Sequence, residues 1–202
     1  MAGTTLPLLA LILTLSYTFV SANNVAVELM APMNFIEASC SATTYPQVCI
    51  RSLSKYATAI QESPLQLTQT ALTVTLALVE STKANMLKLT DIKGLKPMEY
   101  GALKDCLDQV EDSMDRLSQS VRELEKLGQA QDEEDISWHL RNVEAWTNTA
   151  QNQVRTCAGE FSSRALDGKI KDSVQAQTSK VGHLISIALE LVQLFEVKQM
   201  DH

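Results

Sequence analysis

The sequence is poor in aromatic residues and has no proline beyond Pro97. Aromatic side chains make up 5% of the 202 residues, whereas hydrophobic residues make up 45%. An apolar content that is mostly Leu, Val, Ile and Ala favours helical packing over an aromatic-rich β sandwich. Because proline interrupts a helix, its absence from 98–202 permits long, uninterrupted helices there.

The sequence also lacks every short motif that is typical of catalysis. It contains no phosphate-binding glycine loop, no nucleophile elbow and no paired zinc-binding histidines. The three histidines, His139, His183 and His202, are scattered, and we expect His139 to be a solvated surface residue. The sequence therefore predicts a protein that is not an enzyme and that holds no metal or cofactor.

Positive charge is scarce. Lys and Arg number 17 against 24 Asp and Glu, so the net charge is −7. Nucleic-acid binding needs clustered cations, and this balance argues against it. A basic protein partner fits the charge better, although an acidic balance can also serve solubility alone.

The first 22 residues carry no charged side chain and are rich in leucine. Their apolar core is too short for a membrane span, and Val20 and Ala22 are small residues at the −3 and −1 positions of a cleavage site. Residues 1–22 are thus predicted to be a signal peptide, with Asn23 as the mature start. No later run is apolar for about 18 residues, so we expect secretion with no membrane attachment once the signal is removed.

Four cysteines would enter an oxidising compartment, so we expect two disulfides. Sequence alone allows three pairings, and helix geometry decides between them. Cys106 and Cys157 lie about equally far from the polar connection 129–134, so they meet at the same end of two antiparallel helices. Cys40 then pairs with Cys49 across the turn at Pro46.

Apolar residues step by threes and fours along four segments between 65 and 197, which predicts four amphipathic helices. Joined by short connections, these helices form an antiparallel up-down-up-down four-helix bundle. The segment 33–60 is interrupted at Pro46 and predicts an N-terminal helical hairpin, so residues 23–202 form one all-α domain. The clearest stripe consists of Tyr100, Leu103, Leu107, Val110, Met114, Leu117, Val121 and Leu124.

Two further features lie around the third bundle helix. The acidic run 132–135 is interpreted as a helix cap that complements the helix dipole, rather than as a cation site. Trp138 and Trp146 lie off the apolar stripe, which is typical both of interface anchors and of partly buried packing residues.

Several local segments make the chain resemble the plant invertase and pectin methylesterase inhibitor family. They lie around the first two cysteines and around the third. The resemblance covers essentially the whole mature chain and is closest to secreted esterase-inhibitor-like proteins. The segments are Phe35-Ile36-Glu37-Ala38-Ser39-Cys40, Thr44-Tyr45-Pro46, Val48-Cys49, Leu95-Lys96-Pro97, Ala102-Leu103-Lys104-Asp105-Cys106 and Asp115-Arg116-Leu117.

The resemblance implies a four-helix bundle with an N-terminal hairpin, and pairing of the first two and the last two cysteines. It also implies non-covalent, equimolar inhibition in which bundle helices cover the active-site cleft of a target enzyme in the plant cell wall, the apoplast. By position in the family pattern, three residues are expected to face that partner: Thr156, Gln109 and Glu144.

The family has two kinds of target, invertase and pectin methylesterase. Invertase inhibitors carry a Pro-Lys-Phe motif between the second and third bundle helices, and this chain has the acidic run 132–135 there instead. Catalytic carboxylates of a sucrose-cleaving site would repel that run. Pectin methylesterase is therefore favoured, with an invertase inhibitor and a non-inhibitory wall-binding or signalling module as the alternatives.

Overall fold

A computed structural model describes residues 30–130, 132–162, 166 and 168–200, and this part of the chain contains helices and no strand. The predicted signal peptide and the mature start at Asn23 lie outside the described residues. The helices are α1 (30–41), α2 (Pro46–Leu53), α3 (Ala57–Ile60), α4 (Pro64–Thr90), α5 (Pro97–Lys126), α6 (Glu133–Glu160) and α7 (Lys169–Met200), with 3₁₀ turns at Ser54–Tyr56 and Leu127–Gln129.

The four long helices form the bundle. Each packs against the helix before and after it, and α4 also packs against α7, which closes the ring. Short connections between successive long helices make neighbours antiparallel, so the topology is up-down-up-down. The predicted all-α four-helix bundle is confirmed.

Helix starts follow the local sequence signals. Pro64 and Pro97 occupy the first turns of α4 and α5, where a missing backbone N–H costs nothing. The Asp132 carboxylate accepts a hydrogen bond from the backbone N–H of Asp135 at 2.9 Å, which caps α6. The interpretation of the acidic run as a cap is therefore confirmed.

Helices α1 and α2 form the N-terminal hairpin, and a disulfide between Cys40 and Cys49 joins them with 5.6 Å between their Cα atoms. The hairpin docks on α7. The backbone N–H of Thr44 donates to the Glu190 carboxylate at 2.8 Å, and the Tyr45 ring lies 4.1 Å from the His183 ring.

The apolar stripe predicted for α5 is confirmed except at its first residue. Leu103, Val110, Leu117 and Leu124 are fully buried, Leu107, Met114 and Val121 are half-buried and pack against the core, and Tyr100 is 51% exposed. The inner positions between them hold the small residues Cys106, Ser113 and Ser120. Apolar residues spaced by threes and fours cover two neighbouring faces of a helix. Because α6 approaches α5 closely, it packs on the face with small side chains.

Within the described residues, none of the helices is both long enough and apolar enough to cross a bilayer.

Candidate partner-binding surface

Helices α5 and α6 form the most closely locked pair in the bundle. The disulfide between Cys106 and Cys157 brings their Cα atoms within 4.2 Å. Further along the pair, the Thr147 hydroxyl donates to Ser120 Oγ at 3.1 Å. The predicted pairing of Cys106 with Cys157 is present, and the hydroxyl contact shows that α5 and α6 approach each other closely at Thr147.

A buried polar cluster ties the two helices together near their connection. The Glu123 carboxylate on α5 lies 2.8 Å from His139 Nδ1 and accepts from Asn142 Nδ2 at 3.1 Å, both on α6. Lys126 donates to the same carboxylate at 2.7 Å. The prediction of a solvated His139 is wrong, because its side chain is only 11% exposed.

The cluster changes the acidity of Glu123. Burial by itself raises the pKa of this carboxyl, because an ion loses its hydration. Hydrogen bonds from Lys126, His139 and Asn142 outweigh burial and hold the pKa of Glu123 below its ordinary value. Glu123 is therefore a buried carboxylate across the mildly acidic to neutral range.

The sequence contained no simple signal for this cluster. Glu123 directly precedes the buried Leu124, and His139 directly precedes the buried Leu140. A polar residue beside a stripe lies at its edge, and only the pairing of two helices decides whether that edge is covered.

Two of the predicted contact residues share one side of the molecule. Gln109 lies two heptads before Glu123 and so has the same α6-facing side of α5. Thr156 lies two heptads after Asn142, which contacts α5 through Glu123. Both residues border the groove between α5 and α6 beside the Cys106 disulfide, and Thr156 is exposed.

The third predicted contact residue lies elsewhere. Glu144 accepts a hydrogen bond from Gln193 of α7 at 2.7 Å, so it faces α7 rather than α5. It is separated from Thr156 by twelve residues, or about 18 Å along α6. By helix position, Gln109 and Thr156 therefore lie on the α5/α6 side, whereas Glu144 lies on the side of α7.

The two tryptophans differ in their surroundings. Trp138 is 51% exposed, and its ring stands edge-on to His139 with 5.0 Å between the centroids. Trp146 is half-buried. Trp138 thus has the exposure of an interface anchor, whereas Trp146 is less exposed.

No group of three or more His, Cys, Asp or Glu side chains in the described part of the chain is placed to hold a metal ion.

The fold and the locked α5/α6 face are those of a disulfide-pinned helical-bundle protein. The sequence profile of the family described as "Plant invertase/pectin methylesterase inhibitor" matches residues 34–191, and the chain belongs to this family. Several of its relatives are named pectinesterase inhibitors, and the chain is an inhibitor-family protein rather than an enzyme.

The similarity extends over most of the chain. It is 40% identical over 178 residues to "Pectinesterase inhibitor 11" of Arabidopsis thaliana, covering 88% of both chains. It is 44% identical over 169 residues to the "21 kDa protein" of Daucus carota, covering 83% of this chain and 87% of that one. A crystal structure titled as a mutant form of an Arabidopsis pectin methylesterase inhibitor superimposes with a TM-score of 0.61 at 21% identity, covering 77% of this chain and 93% of that chain, which shows a shared fold.

Proposed function

We propose that the chain is a secreted inhibitor of plant pectin methylesterase. It binds the enzyme non-covalently in a one-to-one complex and covers the active-site cleft, and so limits the removal of methyl esters from pectin. Residues 1–22 direct export to the cell wall, where the protein acts.

The observation that carries the proposal is that α5 and α6 are held in a fixed relative position and together form one face, the α5/α6 face. A disulfide and a buried hydrogen-bond cluster fix the relative position of the two helices at both ends. A face that is already ordered loses little conformational entropy on binding, which favours tight association. The exposed Thr156 and its neighbour Gln109 border this face and are the proposed contacts.

Thr156 has a polar group available for a partner. Its hydroxyl donates to the backbone carbonyl of Asn152 at 3.0 Å, which leaves the oxygen free to accept a hydrogen bond. Glu144 is engaged with Gln193, so its proposed partner role would require exchange of that hydrogen bond.

Charge supports an esterase target over an invertase. The exposed acidic residues Asp132, Glu133 and Glu134 lie at the α5–α6 connection, where a sucrose-cleaving site with catalytic carboxylates would repel them. The net charge of −7 also assists association with a basic enzyme.

The test is the rate of methanol release from methylated pectin by a plant pectin methylesterase. The oxidised mature chain, starting at Asn23, is titrated against a fixed enzyme concentration, and sucrose hydrolysis by a cell-wall invertase is measured in parallel. We expect the esterase rate to fall to zero with an endpoint at one inhibitor per enzyme.

The other outcomes separate the alternatives. Loss of invertase activity with retained esterase activity would identify an invertase inhibitor. Retention of both activities at saturating protein would favour a wall-binding or signalling module and refute the proposal.

A further inference from the structure

The connection between α4 and α5 carries exposed apolar and basic side chains together. Of the seven large hydrophobic side chains that are exposed in the described part of the chain, four lie between 87 and 100. Three lysines alternate with them and are also exposed. We call this region the α4–α5 tip, and it consists of Leu87, Lys88, Ile92, Lys93, Lys96, Met98 and Tyr100.

The backbone of the tip is held in a defined shape. Gly94 adopts a positive φ of 87°, which few other residues tolerate. The Glu99 carboxylate accepts a hydrogen bond from the backbone N–H of Lys96 at 2.9 Å, and Leu95 packs against the core. Exposure of the apolar side chains is therefore a feature of a formed turn rather than of a frayed helix end.

The tip is basic within an acidic protein. Residues 87–100 contain three lysines and two acidic residues, Asp91 and Glu99, so this stretch has a net charge of +1 in a chain of −7. Among the described residues, Lys88 and Lys93 have no carboxylate within ion-pair distance, and Lys96 Nζ is 4.0 Å from Glu99. Lys88 and Lys93 are thus open to an external anion, and Lys96, whose side chain is 64% exposed, can exchange its long ion pair with Glu99 for one.

From this combination we infer that the α4–α5 tip binds a partly methyl-esterified polyuronate. Free carboxylates of such a polymer pair with the lysine ammonium groups. Its methyl esters and the apolar faces of its sugar rings suit the exposed side chains of Ile92, Met98 and Tyr100. The choice of this polymer among anionic ligands rests on the proposed function, because the polymer is the substrate of the proposed target.

The tip and the proposed enzyme contacts are separate. Tyr100, the tip residue nearest to Gln109 along α5, is nine residues away from it, or about 14 Å. The chain can therefore engage the polymer through the tip while Gln109 and Thr156 remain available to the enzyme. Polymer binding and esterase inhibition are consequently independent readouts.

The test measures binding of the mature chain to immobilised, partly esterified polygalacturonate with no enzyme present. Lysine pairing releases counterions, so for three contacts we expect roughly a twentyfold loss of affinity between about 50 and 200 mM salt. For the variant Lys88→Gln/Lys93→Gln we expect weaker binding at low salt and only about a threefold loss over the same range.

A matched control keeps the same net charge. Lys55→Gln/Lys180→Gln removes two exposed lysines away from the tip and should bind the polymer as the unmodified chain does. Ile92→Ser/Met98→Ser should reduce binding to the partly esterified polymer more than binding to the fully de-esterified one. All of these variants should retain the esterase inhibition of the unmodified chain.

Three results would overturn the inference. They are equal loss of polymer binding in the tip and control lysine variants, absence of polymer binding at low salt, and preferential binding to phosphatidylserine vesicles over the polyuronate. If esterase inhibition is absent while polymer binding follows the expected pattern, the proposed function fails and the tip assignment stands.

Discussion

The carboxylate of Glu123 on α5 lies 2.8 Å from the imidazole Nδ1 of His139 on α6, and only 3% and 11% of these side chains are exposed. His139 Nε2 is also 3.5 Å from the Asp135 carboxylate. The pair secures one end of the α5/α6 face, and the disulfide at Cys106 secures the other. The surface proposed to bind an enzyme is thus fixed by two different kinds of bond.

Removal of the Glu123 side chain should destabilise the protein strongly. Glu123→Ala leaves His139 and Asn142 without their buried acceptor, at a cost of roughly 3 kcal/mol. For a chain of this size the melting temperature should fall by roughly 6–12 °C in calorimetry. Glu125→Ala, an exposed change on the same helix, should leave it nearly unchanged. A similar melting temperature for both variants would show that the cluster contributes little.

The contribution of Glu123 to the free energy of unfolding should decrease as the pH falls. Its pKa is lower in the folded protein than in the unfolded chain, so its stabilisation is complete above about pH 4.3 and disappears as pH falls through the folded pKa. The unfolding free energies of the unmodified chain and Glu123→Gln should differ most above about pH 4.3, and the difference should shrink as pH falls through the folded pKa of Glu123. A difference that widens on acidification would contradict the lowered pKa.

The fold was predictable because its long helices are strongly periodic and proline-marked, whereas the inner face of α5 was not. Leu107 and Met114 of the predicted stripe are only partly buried, whereas the small residues Ser113 and Ser120, which the stripe did not include, are fully buried. Which face is inner depends on how closely the partner helix approaches, and that is a property of two segments together.

Those two serines should respond oppositely to the same substitution. Ser113 Oγ is buried without a hydrogen-bond partner among the described residues, so Ser113→Ala should stabilise the protein by up to about 1 kcal/mol. Ser120 Oγ accepts from Thr147 and lies 3.3 Å from the Val143 carbonyl, so Ser120→Ala should cost about 1 kcal/mol. Urea unfolding of both variants measures this, and an equal loss in both would disprove the assignment.

The two disulfides should contribute unequally. Cys106 and Cys157 are 51 residues apart, whereas Cys40 and Cys49 are 9 apart. The entropy of loop closure predicts about 4 kcal/mol for the larger loop and about 2.5 kcal/mol for the smaller. Chemical unfolding of the two paired Cys→Ser variants should show the larger loss for Cys106→Ser/Cys157→Ser. The reverse order would indicate that docking of the hairpin on α7, rather than loop closure, dominates.

The proposed contact residues show a second limit of sequence reasoning. Gln109 and Thr156 are placed at the same level of the bundle by the disulfide, which sets the register of α5 and α6. The hydrogen bond of Glu144 to Gln193 could not be foreseen without the position of α7. Helix periodicity places a residue on a face, and only packing shows which neighbour that face meets.

Titration of a plant pectin methylesterase with Thr156→Arg tests the proposed inhibitory face most directly. Thr73→Arg on α4 is the matched control, because Thr73 is also exposed and also donates its hydroxyl to the carbonyl four residues earlier. A bulky charge at a tightly packed contact should weaken inhibition by at least about tenfold for Thr156→Arg, with Thr73→Arg equal to the unmodified chain. Equal inhibition by all three proteins would show that the enzyme binds elsewhere, and no inhibition by any of them would contradict the esterase-inhibitor function itself.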